Sequence, residues 1–172
     1  MHNVNTNALK QTIAKAEQDP GALKQHVSFD GEWQTQEGQP QFRATIPVPN
    51  GAPFVFEADF PPPMGGTGSA PNPLAYCFWG GLACYAMTYA QEAARQGIEL
   101  RAVRARTEAE VDQSRALGVT DDPPLDRIDW HLEVDADAPR EKLEQLKKLA
   151  DEHCPGVWCV QNPVNLHTHL VA

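Results

Sequence analysis

The sequence predicts an α+β fold, an antiparallel sheet with a buried central helix, and three observations carry that prediction. Segments of alternating polarity crowd the stretch from His26 to Asp59, one uncharged helical run occupies the middle, and two strand-like and two helical segments follow it before a last strand. Strands and helices that come in separate runs, rather than strictly alternating, are the pattern of α+β architecture. The predicted order after a short N-terminal helix is βββ-α-ββ-α-α-β.

Leu9, Ile13 and Ala16 recur at helical spacing, so a helix is expected over Thr6–Glu17, capped by Asn5 or Thr6 and stopped by Asp19-Pro20-Gly21. His26–Trp33, Gln41–Ile46 and Pro53–Asp59 read as strands of a meander, with Pro49-Asn50-Gly51 as the turn between the last two. Residues 60–73 (FPPPMGGTGSAPNP) are too rich in proline and glycine for regular structure and read as a loop. Asn72 then serves as N-cap and Pro73 as the first residue of the central helix, where its missing N–H is no loss. That helix is expected to reach Gln96 and to stop at Gly97. A long strand from Ile98 to about Val111 and a polar loop through Asp121-Asp122-Pro123-Pro124 come next. The strand Arg127–Asp135 alternates cleanly through Ile128, Trp130, Leu132 and Val134. Pro139 opens an amphipathic helix with Leu143, Leu146 and Leu149 on one stripe, Cys154-Pro155 starts a short helix, and Val164–Val171 is expected to close as a strand.

With 172 residues the chain suits a single domain over 1–172, in which residues 1–22 form an N-terminal helical extension. A formal charge of −9 argues against nucleic acid or an anionic membrane as partner, since both are bound through basic surface. Leu74–Ala90 carries no charge but is shorter than the roughly twenty residues of a membrane span and is interrupted by Gly80-Gly81, so a buried helix is expected. The strands are too few and too half-polar to cover that helix on every side, which points to a second subunit. Four cysteines are too few for a disulfide scaffold, and no basic segment followed by an apolar run opens the chain; the expected location is the cytoplasm, with thiols resting reduced.

Cysteine carries the chemical signal. Cys84 lies about three turns into the central helix, beyond the reach of its macrodipole, and apolar surroundings are expected to raise its pKa. Cys154 precedes Pro155 at the start of a short helix, where free amides are expected to favour a thiolate. Cys77 and Cys84 are two turns apart, about 10.5 Å of rise, too far for the roughly 7 Å that a disulfide spans between Cα atoms. Gly80 and Gly81 remove bulk just before Cys84, either for plain helix packing or to admit another backbone or a substrate.

Asn72-Pro73 at the start of the central helix, Cys84 at the matching distance from that proline, and Cys154-Pro155 after the penultimate helix together resemble the OsmC/Ohr family of bacterial thiol-dependent peroxidases (osmotically inducible protein C and organic hydroperoxide resistance protein). The likeness runs from about His26 to the C-terminus. It implies an interlocked homodimer with reactive sites at the subunit interface, and catalytic residues Cys84 and Cys154. Cys84 would take oxygen from an organic hydroperoxide, Cys154 would condense with the resulting sulfenic acid, and a small dithiol or thiol protein would reduce the disulfide, with no cofactor or metal and a role in oxidative stress. Two positions depart from the family. Leu74 follows Pro73 where peroxidase members carry a glutamate, and for the catalytic arginine that this glutamate positions, Arg43 is the nearest candidate for an activating cation. A member of the fold that binds a small ligand without catalysis is the alternative these departures favour.

Cys77 and Cys159 have no counterpart in that scheme; a disulfide passed from Cys84–Cys154 to Cys159 is one role for the latter. A metal held by some of Cys77, Cys84, His153, Cys154 and Cys159 would give a structural protein instead, although Cys154 and Cys159 lack zinc-knuckle spacing. His167 and His169 share a face of the last predicted strand, Trp130 and Trp158 read as core or pocket wall, and Asp121-Asp122 as solvated surface.

Overall fold

The computed structural model describes residues 1–171. The chain forms two compact units, residues 10–78 and residues 1–9 with 79 onward. The first helix, α1 (Thr6–Gln18), begins where the Asn5 carboxamide accepts from the Ala8 amide at 3.0 Å and ends before Asp19, whose carboxylate caps a single 3-10 turn at Pro20–Leu23.

In the unit of residues 10–78, the three expected strands form an antiparallel meander: β1 (Asp30–Trp33), β2 (Phe42–Ile46) and β3 (Phe54–Ala58). Register places Gly31 opposite Ala44, and Ala44 opposite Phe56. Beyond β3 the proline-rich loop is tied to a buried carboxylate. Asp59 Oδ2 accepts from the amides of Thr67 and Ser69 at 3.1 and 3.0 Å, and from their hydroxyls at 2.6 and 2.9 Å. A side chain at Gly66 would collide with the Phe60 carbonyl, 2.0 Å away, so only glycine lets the loop close on itself there. The loop ends at Asn72, whose side chain accepts from the Leu74 amide at 2.9 Å, and α2 (Pro73–Arg95) starts at Pro73. Tyr76, in the first turns of α2, donates its hydroxyl proton to the Glu57 carbonyl of β3.

In the other unit, α2 continues to Arg95 and Gly97 follows with φ +71°, the left-handed turn that stops a helix. β4 (Leu100–Ala109) and β5 (Ile128–Ala136) pair as a long antiparallel hairpin with an irregularity at Arg101. The two sheets thus divide as three strands and two. Alternation along β5 sends Trp130, Leu132 and Val134 toward the core, while Glu133 and Asp135 face outward to pair with Arg104 and Arg101 of β4. α3 (Arg140–His153) lays Leu143, Leu146 and Ala150 against Tyr85, Tyr89 and Ala93 of α2. α4 (Pro155–Gln161) adds Val157 to the same core.

The last expected strand does not form: residues 162–171 have no regular structure, with Leu166, Leu170 and Val171 almost wholly exposed. A strand exists only through a ladder partner, and none pairs with this segment among the described residues. The central helix is buried along one side only, through Tyr85, Tyr89, Ala93 and Ala94, whereas Trp79 is 60% and Met87 63% exposed.

Candidate functional site

The two cysteines singled out by the sequence come together. Cys154 ends α3 and caps α4, so two helices converge on its backbone: its amide donates to the Ala150 carbonyl at 3.0 Å and its carbonyl accepts from the Trp158 amide at 3.1 Å. The side chain is 1% exposed. Its thiol is directed at Cys84 of α2, with 3.6 Å between the sulfurs.

Gly156, the second residue of α4, closes the site from the other side. A Cβ there would lie 3.1 Å from Cys84 Cβ, 3.4 Å from its sulfur and 3.4 Å from the Gly81 carbonyl. Burial raises the Cys84 pKa above the ordinary thiol value, and a hydrogen bond from the Gly156 amide opposes that rise. The neighbouring Cys154 thiol, as bond partner and as charge, and the Cys159 thiol push further upward. Cys154 stands at the N-cap of α4, as the sequence predicts; its side chain makes no capping bond, and the amide at the start of α4 meets Cys84. Two residues of chain separate a cap from the amide it would reach, and here the packing of α4 on α2 fills that space with the other thiol.

Trp130 walls the helix one turn before Cys84. Its ring would stand 2.6 Å from a Cβ at Gly81, so the first reading of this glycine, close packing, is the one realised; a Cβ at Gly80 would meet open space among the described residues. The Tyr85 and Trp130 rings lie 5.8 Å apart, and the Tyr85 hydroxyl donates to Asp151 Oδ1 at 2.6 Å. Burial and that carboxylate hold the tyrosine pKa well above its ordinary value. A groove of about 390 Å³ opens beside these rings, floored by Tyr85, Tyr89, Trp130, Leu132 and Leu143 and edged by Arg140 and Lys147. Trp158, by contrast, is 56% exposed, outside the core and not part of this groove's lining.

Next to Cys154, His153 Nδ1 lies 2.9 Å from the buried Glu92 carboxylate, which also accepts from Arg95 at 2.8 Å. Sequence reasoning passed over Glu92 and Gly156. The signal for Glu92 was present: it is the first charge after Asp59, set in the last turns of an otherwise apolar helix. Arg43 and Leu74 belong to the other unit, where Arg43 Nε pairs with Glu57 at 3.5 Å across β2 and β3 and both side chains are about half exposed. Cys77 and Cys159 are exposed free thiols. Among the described residues, no group of three or more His, Cys, Asp or Glu side chains is placed to share a metal ion, and no helix is long and apolar enough to cross a membrane.

The folded chain is similar to a number of solved structures, among them the following two. An OsmC-like protein from Mycoplasma pneumoniae superposes with a TM-score of 0.56 at 15% identity, covering 80% of this chain and 89% of that one. An organic hydroperoxide resistance protein OsmC from Legionella pneumophila superposes with a TM-score of 0.53 at 19% identity, covering 80% and 92%. At such identities the likeness establishes the fold, which is OsmC-like. No curated protein sequence matches the chain. The family model described as OsmC-like protein matches residues 66–169, a stretch that runs from the loop before α2 through Cys84, Cys154 and α4, and the chain belongs to the OsmC-like family.

Proposed function

We propose that the protein is a thiol peroxidase for organic hydroperoxides, and the observation that carries the reading is the 3.6 Å between the Cys84 and Cys154 sulfurs. The Cys84 thiolate attacks the terminal oxygen of the hydroperoxide. The O–O bond breaks, Cys84 becomes a sulfenic acid, and the alkoxide leaves as an alcohol after taking a proton. Cys154 then attacks the Cys84 sulfur, the S–S bond forms and hydroxide departs as water. A small dithiol or a thiol protein returns both cysteines to the thiol state. In the groove beside Tyr85 and Trp130, the two rings with Leu132, Val134 and Leu143 offer apolar surface to an organic tail, and Arg140, Glu144 and Lys147 make the rest of the lining charged.

The same reading makes the protein a cytoplasmic homodimer of one domain each, with residues 1–22 as an extension. Its support is the uncovered side of α2 at Trp79 and Met87 and the exposed side chains of Leu166, Leu170 and Val171, surfaces that a second copy would bury. Leu74 after Pro73 and the rise in the Cys84 pKa favour a second reading, a non-catalytic binder of small apolar ligands that keeps the fold.

One experiment separates the two. Reduced protein is mixed with one equivalent of cumene hydroperoxide, quenched at intervals with an alkylating agent and mapped by mass spectrometry. The peroxidase forms a Cys84–Cys154 disulfide within seconds, none forms in Cys84→Ser, and Cys154→Ser accumulates a sulfenic acid that dimedone traps. Four alkylated thiols after several minutes would leave the binder.

A further inference from the structure

We infer that Cys159 is the exit thiol of a three-cysteine relay, taking over the buried disulfide and presenting it to the reductant. The relay rests on the peroxidase reading for the source of its first disulfide. The arrangement grades exposure in the order the relay needs: Cys154 is buried, Cys84 is partly buried and Cys159 is exposed. Once bonded to each other, Cys84 and Cys154 would leave a reducing dithiol little access to the Cys154 sulfur.

Cys159 is placed to relieve that. It lies three residues beyond Gly156 on α4, and positions three apart stand one above the other on a helix face. Gly156 is the residue that touches Cys84, and it has no side chain to stand between Cys84 and the next turn of the helix. The electrostatic influence of Cys159 on Cys84 reports the same proximity. Side-chain positions three apart are about 5–6 Å from each other, and a disulfide brings Cβ atoms to about 3.8 Å. Since the Gly156 position itself stands 3.1 Å from Cys84 Cβ, the exchange asks α4 to swing about its anchored end at Cys154 and bring Cys159 closer to Cys84 by up to about one helical turn. This helix is seven residues long and leads into a segment without regular structure.

The exchange balances without an added oxidant. The Cys159 thiolate attacks the Cys84 sulfur, the Cys84–Cys159 bond forms as Cys84–Cys154 breaks, and Cys154 leaves as a thiolate that takes up the proton Cys159 gave to solvent. The external dithiol then attacks the exposed Cys159 sulfur and releases Cys84.

The test follows the disulfides of the full chain after one equivalent of cumene hydroperoxide, then after addition of dithiothreitol, in wild type and Cys159→Ser. The relay predicts Cys84–Cys154 first and Cys84–Cys159 second in wild type, and in Cys159→Ser a Cys84–Cys154 disulfide re-reduced clearly more slowly than in wild type, since exchange rates follow access to the sulfur attacked. A Cys159 that stays alkylatable throughout, with Cys159→Ser re-reduced at the wild-type rate, overturns the relay and leaves the peroxidase standing. If peroxide forms no disulfide, the peroxidase reading fails, and diamide is used to oxidise the protein instead. A Cys84–Cys159 bond in that digest supports the relay on its own, and its absence overturns it.

Discussion

Gly156 sits directly on Cys84, close enough that a methyl group at residue 156 would stand 3.1 Å from Cys84 Cβ and 3.4 Å from its sulfur. That contact brings a backbone amide to a thiol whose pKa burial otherwise raises. In Gly156→Ala, the start of α4 must retreat by a few tenths of an ångström and the amide bond to sulfur weakens. The pH midpoint for alkylation of Cys84, already above the ordinary thiol value, should climb by up to about one further unit, the equivalent of a lost hydrogen bond of about 1.4 kcal/mol. Iodoacetamide rates measured from pH 7 to 11 would show it, and an unmoved midpoint would mean the amide has no hold on the sulfur.

The raised Cys84 pKa also has a stability signature. The folded state keeps its proton where the unfolded thiol, with a pKa of about 8.5, has lost it. The contribution is full below that value and disappears as pH rises through the higher folded one. Urea titrations between pH 7 and 10 should find wild type losing stability with rising pH more steeply than Cys84→Ala; equal slopes would contradict the burial argument.

At Gly81 a methyl group would meet the Trp130 ring at 2.6–2.8 Å. Overpacking of this kind costs about 1–3 kcal/mol, against a helix-propensity gain of about 1 kcal/mol on replacing glycine by alanine. Gly81→Ala should therefore be less stable by about 1 kcal/mol, read from the urea midpoint, with Trp130 fluorescence altered. A variant more stable than wild type would show that the ring moves away freely.

Asp59 is held as a carboxylate first by the Thr67 hydroxyl and then by the Ser69 amide, which place its pKa well below the usual range. A lowered folded pKa gives stability that is complete above the unfolded value, about 3.9, and drains away as pH falls below it. The melting temperature of wild type should drop more steeply than that of Asp59→Asn between pH 4 and pH 2, while at pH 7 Asp59→Asn melts lower. Parallel curves would remove Asp59 as the tie of the loop.

Tyr85→Phe deletes the 2.6 Å bond to Asp151 and keeps the ring against Trp130. Asp151 retains Lys147 at 2.8 Å, so the loss should be about 1–2 kcal/mol, toward the lower end for a bond to a charged group. Cys84 alkylation at pH 8 should be unchanged; a large change would give Tyr85 a part in the thiol chemistry.

What the sequence made legible was what repeats locally. The alternation Ile128, Trp130, Leu132, Val134 identified both β5 and its inward face, and Asn72-Pro73 and Cys154-Pro155 marked helix starts to the residue. Pairings that depend on how elements dock were not legible. That the amide at the start of α4 also meets Cys84 was not legible, because nothing local shows that Cys84 arrives within its reach. Asp59 read as a polar strand end, since its four hydrogen bonds come from residues eight and ten positions ahead in a loop without periodicity. Val164–Val171 alternates as a strand does, yet alternation supplies only the faces, and no strand of the described chain pairs with the segment.

The double role of Cys154, last cap of α3 and first cap of α4, reaches beyond thiol chemistry. Drawing its sulfur from 3.6 Å to the roughly 2.05 Å of a covalent S–S bond would lock the corner between two helices onto the middle of a third, across a span of 70 residues. A crosslink closing a loop of that size removes enough freedom from the unfolded chain to stabilise the fold by about 4 kcal/mol in the chain-entropy account. Turnover of the thiols would then double as a cycle of mechanical tightening and release, in which each oxidised molecule resists unfolding and proteolysis more than the reduced molecule it came from.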